Sequence, residues 1–99
     1  MENQLQLVAS LIERDAVRYT PAGIPVVTAK LSHQSQQTEA EASRNVEFEM
    51  PVIAIGKIAG QLEKLEAGQI RLFTGYMAKR NRRSHTLVLH ITDITSLTD

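Results

Sequence analysis

The chain has 99 residues, 11 basic against 11 acidic, a formal net charge of +0 and no cysteine. Its length suits one domain with one modest core. The lack of cysteine excludes a disulfide scaffold, a thiolate zinc site and a cysteine nucleophile, and the balanced charge means that any basic site must be local. The opening MENQLQ lacks the basic and apolar regions of a secretory signal. No apolar run is long enough to span a bilayer, so the expectation is a soluble cytoplasmic protein with no membrane partner.

Leu5, Leu7, Ala9 and Leu11 alternate with Gln4, Gln6, Val8 and Ser10, the period-two pattern of a first strand. Thr20-Pro21-Ala22-Gly23 is turn chemistry, because proline presets the first central residue and glycine accepts positive φ. A second strand from about Val26 places Val27, Ala29, Leu31 and His33 on one face and Val26, Thr28, Lys30, Ser32 and Gln34 on the other. With the first strand it reads as a hairpin.

Ser35 to Asn45 (SQQTEAEASRN) is polar, small and poor in β-formers. It predicts a surface loop with freedom to move. Val46 to Ile55 predicts a third strand whose Val46, Phe48, Met50, Val52 and Ala54 share a face. Pro51 inside it cannot donate to a ladder, which calls for an edge, a bulge or a bend. Lys57 to Leu65 carries Ile58, Leu62 and Leu65 as one apolar stripe, the signature of a short helix. Gly68 is placed to be its C′ residue. A fourth strand spans Gln69 to about Met77, with Ile70, Leu72, Thr74 and Tyr76 opposite Arg71, Phe73 and Met77. Gly75 in its interior suggests a bend or bulge. A basic connection, Lys79 to His85, leads to a fifth strand from Leu87, with Leu89 and Ile91 on one face and Val88, His90 and Thr92 on the other.

The order β-β-β-α-β-β is that of an all-β, five-stranded OB-fold barrel with one short helix between strands three and four, here as a single domain over 1–99. Barrel closure hides the edges that so many short strands would expose.

Catalytic chemistry has no foothold in this pattern. His33, His85 and His90 stand apart among unrelated residues, and His90 and Asp93 fall on opposite faces of a strand. No paired carboxylates, nucleophile with base, or metal-ligand spacing occurs. The reading is a non-enzyme with no catalytic residue, no metal and no cofactor, in which the histidines are ordinary strand residues.

The strongest local feature is Lys79-Arg80-Asn81-Arg82-Arg83. A solvated hairpin tip explains such a run on composition alone. Its position between strands four and five, where an OB fold grips oligonucleotides, favours a nucleic-acid site made of Lys79, Arg80, Arg82 and Arg83. Lys30 on the polar face of strand two can reach a backbone tracking across the sheet, although taken alone an ordinary exposed strand lysine is the plainer reading. Arg18 and Tyr19 flank the first turn, and Tyr19 and Tyr76 are candidates for stacking a base. Phe48 and Phe73 read as core. Glu39, Glu41, Glu47 and Glu49 crowd the second loop and third strand against a lone Arg44, and this region would repel phosphate.

Asn3-x-Leu5-x-Leu7, Pro21-Ala22-Gly23-Ile24-Pro25, Met50-Pro51-Val52-Ile53, Gly75-Tyr76 and Leu87-Val88-Leu89-His90 together resemble primosomal replication protein N, the PriB family, over nearly the whole chain. That family is a compact relative of bacterial single-stranded-DNA-binding proteins. The resemblance implies a homodimer of OB folds that binds single-stranded DNA, binds and stimulates the restart helicase PriA, and in some lineages hands over to DnaT. It implies DNA contacts by a basic residue beside the first turn, where Arg18 stands, and by the basic loop from Lys79 to Arg83. The chain departs from the family pattern at its stacking Trp and a nearby Phe, where Glu47 and Ala42 stand, and at a basic residue replaced by Gln34. Weaker single-strand binding than the family archetype is therefore expected, with the acidic loop off the DNA path. The alternative is a module that chiefly binds protein and contacts DNA only incidentally.

Overall fold

In the computed structural model, which describes residues 1–97, the apolar alternations become β1 (Leu5–Arg14), β3 (Pro25–Glu39), β4 (Ala42–Ile55), β5 (Ile70–Lys79) and β6 (Leu87–Thr95). A two-residue strand, β2 (Arg18–Tyr19), lies beside the start of β3, and one helix, α1 (Lys57–Glu63), follows β4. The sheet runs β1-β5-β6-β4-β3 and closes where β3 pairs with β1. Among the described residues every strand pairing is antiparallel except a short parallel one, Val52 with Leu89 and Ile53 with His90. This is the expected closed five-stranded OB barrel, with its helix between the third and fourth long strands.

Alternation sets the core. Leu7, Ala9, Leu11, Val27, Leu31, Val52, Ala54, Phe73, Leu89 and Ile91 point inward, and α1 closes one end of the barrel with Ala59, Leu62 and the following Leu65. Helix and strands therefore bury one continuous apolar mass, which supplies most of the stabilisation. The first turn forms as its residues require. Gly23 has φ 84°, and its N–H donates to the Thr20 carbonyl at 2.8 Å. This turn closes the small β2–β3 hairpin, while β1 pairs with β3 further along, at Ser10 to Arg14. Gly75 marks the expected bulge, because the β5–β6 register shifts between Thr74 and Gly75. Pro51 stands where β4 passes from one-sided to two-sided pairing, just before Val52 meets Leu89.

Three expectations need correction. Ser35 to Asn45 is not a loop, because β3 and β4 pair without a break from Val26–Ile55 out to Glu39–Ala42. The result is a long hairpin arm whose two-residue turn is Ala40-Glu41, with φ 52° and 63°. A ladder already in register adds one backbone pair after another, so polar residues with little strand preference of their own are carried along. The arm also has local ties. His33 and Phe48 face each other with ring centroids 4.9 Å apart, and Arg44 Nε lies 3.2 Å from Glu39 Oε1. Phe48 is the second correction. Only Phe73 is core, and Phe48 is 37% exposed because it lies beyond the barrel on the arm. Third, Gly68 does not cap α1. The helix ends at Glu63 with Lys64 as its cap, and the Gly68 N–H donates instead to the Leu11 carbonyl at 2.8 Å.

Candidate nucleic-acid interface

Because strand partners share a face, the register lines up a row across the outside of the barrel. Thr28 on β3 stands beside Ile53 on β4, Ile53 beside His90 on β6, and His90 beside Tyr76 on β5. Lys30 and Pro51 form the next step along β3 and β4. Over this surface lies a cleft of ≈ 430 Å³. Pro51, Ile53 and Val88 give it an apolar floor. Arg18 enters from the first hairpin, Lys30 from the sheet and Arg80 from the end of the β5–β6 tip, with Arg14 and the acids Glu13 and Asp15 on the β1 side.

These polar groups differ in how free they are. The Arg14 guanidinium donates to the Leu65 carbonyl at 2.6 Å, which ties β1 to the chain after α1. The Asp15 carboxylate accepts from the Thr28 hydroxyl at 2.6 Å. The Lys30 ammonium lies between two carboxylates, 4.0 Å from Glu13 and 3.7 Å from Glu49. Among the described residues, the side chains of Arg18 and Arg80 have no hydrogen-bond or ion-pair partner. Of the cations lining the cleft, they are the most available to a ligand.

The eight residues singled out in the sequence therefore separate. Arg18, Lys30 and Arg80 meet around one cleft. Tyr76 does not line it, yet its ring stacks on His90, which does, with centroids 4.8 Å apart and planes 11° from parallel. Tyr19 is 66% exposed on β2 and outside the lining. The basic tip does not act as a unit. The Arg80 N–H donates to the Thr86 carbonyl, which closes the tip, and the Asn81 side-chain oxygen accepts from the Arg83 N–H. Lys79 Nζ turns back to the Arg82 carbonyl at 3.3 Å. Only Arg80 is aimed at the cleft, while Arg82 and Arg83 stay exposed on the turn beyond it.

Sequence reasoning passed over His90, Glu13 and Asp15, all of which line the cleft. For His90 the signal was present, since period two already put it on the non-core face with Val88. The acids carried no such signal, because nothing local shows that the end of β1 folds over β3. Among the described residues no group of three or more His, Asp or Glu side chains is placed to hold a metal ion, and no helix is long and apolar enough to cross a membrane.

An apolar floor with an aromatic pair at its side and cations on its rim suits an extended chain of bases and phosphates. Known proteins agree with this class. A family model described as "another single-strand binding protein family" matches residues 3–93. The wild-type single-stranded DNA binding protein of Thermus aquaticus shares the fold, with a TM-score of 0.76 over 98% of this chain and 50% of its own, at 24% identity. The chain belongs, more particularly, to the PriB family of replication restart proteins. It is similar to replication restart protein PriB of Nitrosomonas europaea, with 41% identity over 92% of this chain and 84% of that one. The PriB of Neisseria meningitidis serogroup B is 36% identical over 93% of this chain and 92% of its own. A solved structure of PriB from Ralstonia solanacearum superposes with a TM-score of 0.89 at 39% identity, covering 99% of this chain and all of that one.

Proposed function

We propose that this protein is a non-enzymatic accessory factor of replication restart that binds single-stranded DNA across the outer face of β3, β4 and β6. The observation that carries this reading is the convergence of Arg18, Lys30 and Arg80 on a cleft floored by Pro51, Ile53 and Val88. Phosphates would follow the cationic rim, and bases would lie against the floor and the Tyr76–His90 pair. Each stacked base is worth ~1–3 kcal/mol in such sites, so Tyr76 adds affinity without demanding a sequence.

Further parts of the proposal rest on family membership. The protein would bind and stimulate the restart helicase PriA, pass DNA on to DnaT where that partner exists, and act as a homodimer in the cytoplasm. The β1 edge supports the dimer. Leu5 to Ala9 pair with β5 on one side, while β3 pairs only from Ser10 onward. That leaves a half-strand edge that a second copy could extend across a two-fold axis. Light scattering tests it, with a monomer at micromolar concentration as the contrary result.

The decisive experiment is a fluorescence titration of labelled oligonucleotides at two salt concentrations, with and without the helicase. Two phosphates neutralised by Arg18 and Arg80 predict that log K falls with log salt at a slope near −1.4, at ~0.7 per contact, and near −2 where Lys30 takes a third. A salt-independent affinity would refute the site. The rival reading, a module that chiefly binds protein, is favoured by Glu47 and Ala42 where the family has aromatics and by Glu13 and Asp15 inside the cleft. An Arg18→Ala/Arg80→Ala variant separates the two. Full helicase stimulation without DNA binding supports the rival, and parallel loss of both supports the DNA-binding role.

A further inference from the structure

The geometry points to Glu13 and Glu49 as a built-in competitor for phosphate at Lys30, a pair that sets how tightly the cleft holds DNA. The inference rests on the nucleic-acid reading above and adds two residues that act against binding. Register puts the three groups together. Glu13 faces Lys30 across the β1–β3 pairing, and Glu49 faces Ser32, one step along the same outer face. The ammonium lies 4.0 Å from one carboxylate and 3.7 Å from the other.

Both distances exceed hydrogen-bonding length, and all three side chains are largely in water, at 44% exposure for Lys30, 70% for Glu13 and 62% for Glu49. Such pairs are weak and exchange readily. They hold Lys30 loosely, and a phosphate can replace them. The replacement has a cost, because the incoming phosphate must sit beside two carboxylates that lose their counter-charge. The triad carries a net charge of −1, whereas Lys30 alone would carry +1. The cleft thus has a cation whose gain on meeting a phosphate is largely cancelled by the two carboxylates it leaves behind. The other acid of the cleft, Asp15, is already engaged by the Thr28 hydroxyl. Arg18 and Arg80 have no acidic side chain paired to them among the described residues, so the competition falls on Lys30 alone.

The test is fluorescence anisotropy of a labelled oligothymidylate across a salt series. It compares the wild type with E13Q/E49Q, E47Q, K30Q and the triple variant E13Q/E49Q/K30Q. Glutamine keeps the size of glutamate at exposed positions, and melting curves check that each variant folds. Freeing Lys30 should tighten binding about three- to tenfold at low salt and steepen the log–log slope by about 0.7, one extra phosphate contact. Glu47 lies on the same face with no ion pair among the described residues, four residues from Pro51 on β4 and so ~13 Å along the strand, so E47Q should change affinity by less than about twofold at 0.15 M salt, where the Debye length is about 8 Å. K30Q alone should change little, but it should abolish the gain in the double-variant background. Unchanged or weaker binding by E13Q/E49Q overturns the inference, as does a gain that survives K30Q. An Arg80→Ala variant run alongside separates the layers. If it weakens a salt-dependent wild-type affinity while E13Q/E49Q gains nothing, only the competitor role falls. If the wild type shows no salt-dependent binding, the cleft reading falls and this inference with it.

Discussion

Gly75→Ala should destabilise the barrel and disturb the outer face proposed to bind DNA together. Gly75 is buried at the β5–β6 register shift. A Cβ built there would lie 1.9 Å from the His90 carbonyl oxygen, 2.8 Å from its carbon and 3.1 Å from the Ile91 Cα. All three are backbone atoms, so no rotamer change relieves the overlap. To reach ordinary contact at 3.4 Å, the oxygen must retreat by about 1.5 Å from its 1.9 Å position. A ladder hydrogen bond cannot stretch that far. The pairing of Tyr76 with His90 would open, and the buried Leu89 and Ile91 on the same strand would shift with it. Overpacking of this kind typically costs 1–3 kcal/mol, and lost ladder bonds at about 1 kcal/mol each put the total near 3 kcal/mol. For a domain of this size each kcal/mol lowers Tm by roughly 4–8 °C, so the fall should be about 12–24 °C by circular dichroism. Oligonucleotide affinity should fall as well at a temperature where the variant is still folded, because His90 leaves its place beside Ile53. A Tm within about 3 °C of wild type would refute the steric argument.

Within the basic tip, Arg80→Ala should weaken oligonucleotide binding and reduce the salt slope by about 0.7, whereas Arg82→Ala/Arg83→Ala should do less, as salt-series anisotropy will show. Equal losses would mean that the exposed turn, and not the cleft, meets the phosphates. Ala40→Asn/Glu41→Gly gives the arm turn the residues that positive φ at both central positions favours. This should raise stability by about 1 kcal/mol or more in urea denaturation, since a left-handed conformation costs an ordinary residue ~1–2 kcal/mol.

How much could be read in advance depended on whether the cause was local. The barrel strands and α1 were legible because burying one face imposes a period on the sequence, and Gly23 and Gly75 because backbone geometry there leaves few other residues. The arm was not. Its residues bury nothing, so no period marks them, and its tip is Ala-Glu where Asn-Gly would have announced a two-residue hairpin. What holds it is a register established far away, at Val27 with Ala54 and Leu31 with Met50. Phe48 was misread for the same reason, since its alternation is correct but the returning strand has not yet re-entered the barrel at that point. At the site, Arg18, Lys30 and Arg80 were each visible as polar-face or hairpin cations. The division of the tip into one inward and two outward arginines was not, because it depends on the Asn81 side chain and the Thr86 carbonyl closing the turn.

A chain of zero net charge can hold a polyanion only if its charges are sorted in space, and the arm bears on that sorting. Glu39 lies nine residues beyond Lys30 on β3, about 30 Å of strand at ~3.3 Å per residue. The Debye length is about 8 Å at physiological salt and about 30 Å at 0.01 M. The tip acids Glu39 and Glu41 are therefore nearly invisible from the cleft in physiological salt, unlike Glu49, 3.7 Å from the Lys30 ammonium. The acidity of this region consequently repels phosphate only where the arm meets the barrel, and the tip is a separate feature. E39Q/E41Q should leave oligonucleotide affinity unchanged at 0.15 M salt and raise it at 0.01 M, when the screening length grows to match the arm. A clear gain at 0.15 M would mean that bound DNA runs out along the arm, and the cleft would then be only the start of the binding path.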